Sequence, residues 1–141
     1  MKRDLMNNIH PVVAIAPFVA TDGTVAVSAA IDVRHYKSVT FIIALGTLAD
    51  ADATWAVTVK EGSDSTQGNH TAVADTDLIG TEALAGFTFA DDGECRKIGY
   101  KGDQDYVSIE IDDVTANSGN APMCVIAILE PYERPSSNPP A

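Results

Sequence analysis

Ser38–Leu45, SVTFIIAL, and its counterpart Met123–Leu129, MCVIAIL, are short, β-branched and almost uninterrupted apolar runs. Gly46 closes the first and Pro122 leads into the second. Runs of this length and composition read as central strands, because a core helix needs a longer stretch with a 3.6-residue period. Around them the chain alternates with period two. Val25, Val27, Ala29, Ile31 and Val33 form one such row, Trp55, Val57 and Val59 a second, and Val107, Ile109 and Ile111 a third. Ile98 and Tyr100 share a face, with Arg96 in phase. Alternation of this kind marks strands with one buried face.

Working outward, turn signals separate the runs: Asp22-Gly23, Arg34 to Tyr36, the polar tip Glu61–Asn69, Asp91-Asp92-Gly93 and Gly102 to Asp105. Seven or eight strands result. The expected fold class is all-β, a two-sheet β-sandwich of jelly-roll type, although a closed small barrel fits the same pattern. Phe41, Ile43, Val57, Val107, Ile109, Val125 and Ile128 are expected among its buried side chains. Val125 and Ile128 have opposite parity, so burying both needs a bulge or a strand covered on both faces.

The sandwich should occupy residues 24–131. Residues 1–23 form a leader whose apolar side chains Val12, Val13, Ile15, Phe18 and Val19 are interrupted by Pro11 and Pro17. Proline removes a ladder donor, so this segment is an edge strand or an extended arm lying on another surface. Residues 132–141 hold Tyr132, Arg134 and three prolines, a composition for an extended tail. Neither a signal peptide nor a membrane span is legible at the start.

Charge narrows the function. The 141 residues carry 9 Lys plus Arg against 20 Asp plus Glu, a formal −11 at pH 7. Such a chain is a poor partner for nucleic-acid phosphates or an anionic membrane. Residues 49–93 hold nine acidic groups and only Lys60 as a base, which predicts one strongly negative end or side. A patterned charge of this kind suits an electropositive partner or a head-to-tail contact between copies.

No residue cluster asks for chemistry. His10, His35 and His70 share no ligand spacing. Pairs such as Asp50/Asp52, Asp75/Asp77 and Asp103/Asp105 lack a calcium-loop framework and match what turns prefer for side-chain-to-backbone bonds. Cys95 and Cys124 read as free thiols, and Cys95 beside Arg96-Lys97 lacks a partnered histidine in sequence. Trp55, in phase with Val57 and Val59, reads as a core or interface side chain rather than a sugar platform. No nucleophile elbow, phosphate loop, dinucleotide fingerprint or zinc helix occurs. Catalytic, metal and cofactor-binding residues are therefore all expected to be absent.

The segments Tyr36–Ile43 with Gly46-Thr47, Thr58–Asp64, Ala72–Thr81, Arg96–Gly102 and Val125–Pro131 resemble, in this order, a kind of small structural protein encoded by tailed bacteriophages and prophages. The resemblance covers about residues 30–131. It implies a virion component, of the capsid decoration or cement type, made in the host cytoplasm and set on the outer capsid surface. It further implies a homotrimer with the major capsid protein as partner, no enzyme activity and no cofactor. A head–tail connector or tail component, and a β-sandwich ligand-binding module, are the alternatives. The candidate interface comprises Val12, Val13, Ile15, Phe18, Val19, Arg34, Tyr36, Tyr132 and Arg134, with the termini contacting capsid subunits or a sister protomer.

If the acidic turns hold no structural ion, a chelator leaves the melting temperature unchanged. A drop of several degrees in a calorimetric scan counts against this reading.

Overall fold

The structure is a computed structural model that describes residues 3–115 and 117–133. Among the described residues eleven strands form, and they collect into two antiparallel sheets. The first sheet has the order β1 (His10–Ala20), β11 (Ala121–Pro131), β4 (Tyr36–Leu45), β9 (Cys95–Tyr100) and β7 (Leu78–Ile79). The second is β2 (Val25–Val27), β10 (Tyr106–Asp113), β5 (Thr54–Gly62) and β6 (Thr71–Ala72). Two further short strands join it, β3 (Ile31–Asp32) on β10 and β8 (Phe87–Thr88) on β5.

The pairing runs from the outside of the chain inward. β1 pairs with β11, β2 and β3 with β10, β4 with β9, and β5 with β6. A long hairpin rolled onto itself produces this nesting, which is the jelly roll. Eight positions of the roll account for the expected strand number, with β2 and β3 sharing one of them. β7 and β8 are additions within the connection from β6 to β9.

The core lies between the two sheets. Phe41, Ile43, Val57, Val107, Ile109 and Val125 are all buried, as the alternation predicts. Ile128 is the exception. The register of β11 on β4 runs unbroken from Met123 to Glu130, so Ile128 lies opposite Thr40 on the outer face and is only half-buried. Trp55 is buried and stacks on Phe87, with ring centroids 6.0 Å apart.

The row Val25 to Val33 does not keep one face. Val25 and Val27 point outward, 54% and 40% exposed, whereas Ile31 and Val33 are buried. The pairing shifts by one residue between Val27↔Glu110 and Ile31↔Val107. Ser28 causes the break: its hydroxyl accepts the Ile109 N–H at 3.0 Å and donates to the Ala29 carbonyl at 2.9 Å. A side-chain oxygen has taken a ladder position, and the parity flips beyond it.

The leader is the edge strand of the two readings offered for it. Two one-residue shifts, between Val13 and Ile15 and between Ile15 and Phe18, let β1 accommodate Pro17. The first shift turns Ile15 inward opposite Val125, although Val13 two residues earlier points out. The connection from β7 to β8 contains a helical turn, α1 (Glu82–Ala85). The Thr81 side chain caps it by accepting the Leu84 N–H, and Glu82 Oε1 accepts the Val59 N–H at 2.8 Å.

The acidic turns bind the loops at one end of the sandwich. Asp50 accepts the backbone N–H groups of Asp52 and Ser118, Asp92 that of Leu48, and Asp113 those of Gly23 and Asn117. Gly23 has φ +67, a conformation that suits glycine at this turn. Because β5 spans the sandwich, the acidic stretch 49–93 is divided between the two ends. Asp50, Asp52, Asp91 and Asp92 stay at this one, joined by Asp22, Asp112 and Asp113 from elsewhere in the chain.

Two measurements follow from this architecture. Deleting residues 1–20 removes Ile15 and Ala20 from the core and uncovers β11, so the truncated chain loses cooperative urea unfolding. Phe41→Ala, by comparison, costs about 3–5 kcal/mol. A fully cooperative truncated chain would restore the arm reading. Backbone and side-chain hydrogen bonds hold the carboxyls of Asp50, Asp64 and Asp91 below their ordinary pKa. Groups shifted down stabilise the fold above the unfolded-state pKa, here the ordinary 3.8, and lose that contribution as pH falls through the folded value. Melting temperature is therefore flat on acidification to about pH 5 and falls below about pH 4.

Candidate interaction surface

The two sheets present different outer faces. On the second, Lys60 bridges Glu110 at 2.6 Å, with Asp112, Thr54 and Thr58 on the same side. On the first, the registers set out apolar rows. Val13, Ile126 and Ile42 stand in one row that ends at Lys97. Pro11, Ile128, Thr40 and Gly99 form the next, and Cys124, Ala44 and Cys95 a third. Val13 is 62% exposed and Ile126 37%. Beyond β9 a groove of about 520 Å³ extends the face, lined by Ile79, Leu84, Thr40, Cys95 and Lys97. Leu84, on α1, is 75% exposed. Within these rows Lys97 is the charged side chain, and Glu130 follows at the end of β11 beside Ser38.

The residues singled out from the leader divide between core and surface. Ile15 is buried, and Val12 and Phe18 pack against the core, so these three serve the domain interior. Val13 and Val19 remain exposed. Strand parity alone could not make this division, because the two shifts in β1 depend on its pairing with β11.

Arg34, Tyr36 and Tyr132 gather at the other end of the sandwich. Arg34 pairs with Asp32 at 2.5 Å and lies over the Tyr106 ring, 5.3 Å from its centroid. The Asp32 carboxyl is held below its ordinary pKa, first by the Arg34 hydrogen bond. The Tyr36 ring lies against His10 at 5.4 Å, and the Lys37 ammonium sits 5.7 Å over Tyr132. Together with Lys101 and Gln104 they line a cleft of about 360 Å³. At its floor the Tyr100 hydroxyl donates to Glu61 at 2.6 Å and accepts the Gln104 N–H at 3.0 Å. Burial, then the Glu61 bond, pushes the Tyr100 pKa well above its ordinary value. Arg134 lies outside the described residues.

A Ser–His contact was not legible in the sequence. His70 Nδ1 lies 3.0 Å from Ser108 Oγ, and Nε2 lies 2.9 Å from the Asp64 carbonyl. That carbonyl only accepts, so Nε2 carries a proton, and in the neutral ring Nδ1 accepts from the serine hydroxyl. Ser108 is fully buried and His70 nearly so, closed under the loop that follows β5. The pair fastens that loop to β10, with the hydroxyl buried beneath it. The three histidines remain far apart in role: His10 on Tyr36, His35 in the β3–β4 turn, His70 under its loop. Among the described residues no group of three or more His, Cys, Asp or Glu could hold a metal ion. No described helix is long and apolar enough to cross a membrane.

Cys95 and Cys124 are both unpaired by disulfide and lie on the same outer face, on either side of Ala44. Two strand spacings place their backbones about 9–10 Å apart, which is beyond the reach of a disulfide.

No family model and no curated protein matches the chain. Solved structures resemble it at low identity. One is a structure of the infectious bursal disease virus Gx strain, at 15% identity and TM-score 0.45, covering 88% of this chain and 33% of that one. The K1 cleaved adhesin domain of Lys-gingipain from Porphyromonas gingivalis W83 aligns at 13% identity and TM-score 0.41, over 77% of this chain and 64% of that one. A chain of the disulfide-linked Bacillus endospore appendages aligns at 8% identity and TM-score 0.39, over 94% and 98%. The chain thus spans about a third of the first of these and under two thirds of the second.

Proposed function

We propose that this chain is a structural protein of a viral particle. In this reading it decorates the outer surface of a tailed-phage capsid as a homotrimer and stabilises the head by bridging subunits of the major capsid protein. The observation that carries the reading is the contrast between faces. A jelly roll with a formal charge of −11 keeps one sheet face largely apolar, with Lys97 and Glu130 as the charged side chains along its rows. An exposed apolar area of that extent is a place for another protein rather than for solvent. The ordered resemblance of residues 30–131 to small phage structural proteins supports the same conclusion. In this reading its role is non-enzymatic, and the burial of the Ser108–His70 contact, which holds a loop, supports that.

A cryo-electron map of particles made with and without the chain tests this. Density is expected on the outer surface, in three-lobed features between capsid subunits, and particles lacking the chain should release their genome at a lower temperature. Density confined to the portal vertex or tail would make it a connector or tail component. A chain absent from particles that instead retains a small ligand would make it a binding module.

A further inference from the structure

We propose that the outer face of the first sheet, from Val13 on β1 across Ile126 and Ile42 to the groove beside Leu84, is covered by a second copy of this chain. The inference deepens the assembly part of the proposed function and rests on its reading of this face as an interface.

Charge selects the occupant. Copies carrying a formal −11 repel one another, and most approaches bring carboxylates together. At one end stand Asp22, Asp50, Asp52, Asp91, Asp92 and Asp113. The outer face of the second sheet presents Glu110 and Asp112. The rows of the first sheet offer Val13, Ile126, Ile42, Ile128, Ala44 and Cys124, with Lys97 near the β7 margin and Glu130 at the end of β11. The charges on these rows, Lys97 and Glu130, are of opposite sign, and Arg96, which also lines the groove, is already paired with Asp91 and Glu94. Two copies can meet here without stacking like charges, and the long stem of Lys97 lets its ammonium stay at the rim.

Size agrees with this. Five strands about 4.8 Å apart, roughly eight residues long at about 3.4 Å each, project on the order of 500 Å². Side-chain relief and the groove bring the accessible area toward the roughly 800 Å² per partner of a standard protein interface. The margins of the face differ, the flat β1 edge on one side and the α1 groove on the other. A contact between unlike patches generates a ring where its rotation closes and an open filament where it does not.

The cysteines supply a native reporter. Cys95 and Cys124 share the face but cannot reach each other within one chain, so any disulfide formed on mild oxidation of dilute protein joins two chains. Sedimentation of the full chain over a wide concentration range should show an associated species. Ile126→Glu and Val13→Glu should each abolish it, and Val25→Glu, also exposed but on the second sheet, should leave it unchanged. Circular dichroism and urea unfolding establish that each variant is folded. If the face variants do not fold, the oxidised wild type decides: a linked dimer lost in Cys124→Ser supports the proposal, and exclusively monomeric chains overturn it. A wild type that stays monomeric at every concentration also overturns it, as does association indifferent to Ile126→Glu. A monomer that loses shell binding with Ile126→Glu would give the face to the capsid instead, leaving the proposed function standing. A self-associating chain that never binds shells would do the reverse.

Discussion

Everything in this domain depends on the burial of two inward rows against each other. Phe41, Ile43, Val125 and Ala127 project from the middle of the first sheet, and Val57, Val59, Val107, Ile109 and Ile111 project from the second. None of these strands is stable alone, because each exposes an apolar row and its backbone hydrogen-bonding groups. Lateral pairing within each sheet satisfies the backbone groups, and packing the two sheets face to face buries the rows. The edge strands, loop staples and caps then serve to close the margins of that layer.

The central layer was legible in the sequence because β5 and β10 alternate and β4 and β11 are short β-branched apolar runs, both of them local properties. What escaped was wherever a side chain or a proline altered the count of residues between strands. Ser28 substitutes its hydroxyl for a main-chain acceptor and reverses the facing of everything before it. The shifts around Ala14 and Pro17 decide that Ile15 faces inward and Val13 outward, and they exist only in relation to β11. The burial of Ser108 likewise follows from a loop folding back over β10, which the period of β10 does not encode. Ile128 went the other way: the sequence allowed two ways of burying it, and an unbroken register left it on the outer face.

The candidate surface was harder to read than the core. The leader drew attention because its apolar residues sit among prolines, yet three of the five serve the interior. The larger apolar area comes from the outward halves of the two runs that define the fold: Ile42 and Ala44 from one, Cys124, Ile126 and Ile128 from the other. Their near-continuous hydrophobicity exceeds what one buried face requires. A strand covered on both sides has such a composition, and the proposed contact with a second copy would supply the second covering. The acidic residues, by contrast, are largely absorbed by local duties, since Asp50, Asp92 and Asp113 each accept backbone N–H groups across loop gaps.

The pairing of β1 with β11 joins the first strand of the chain to the last. A ribosome extends a chain at about 5–20 residues per second, so roughly 5–20 s separate the emergence of residue 20 from that of residue 121. During that interval β1 has no partner, and its Ile15 and Phe18 are available to any neighbouring nascent chain. Prolines at positions 11 and 17 make the waiting segment a poor template for strand addition. The two prolines that keep the leader out of the sheet interior thus protect it until the sheet is ready to receive it.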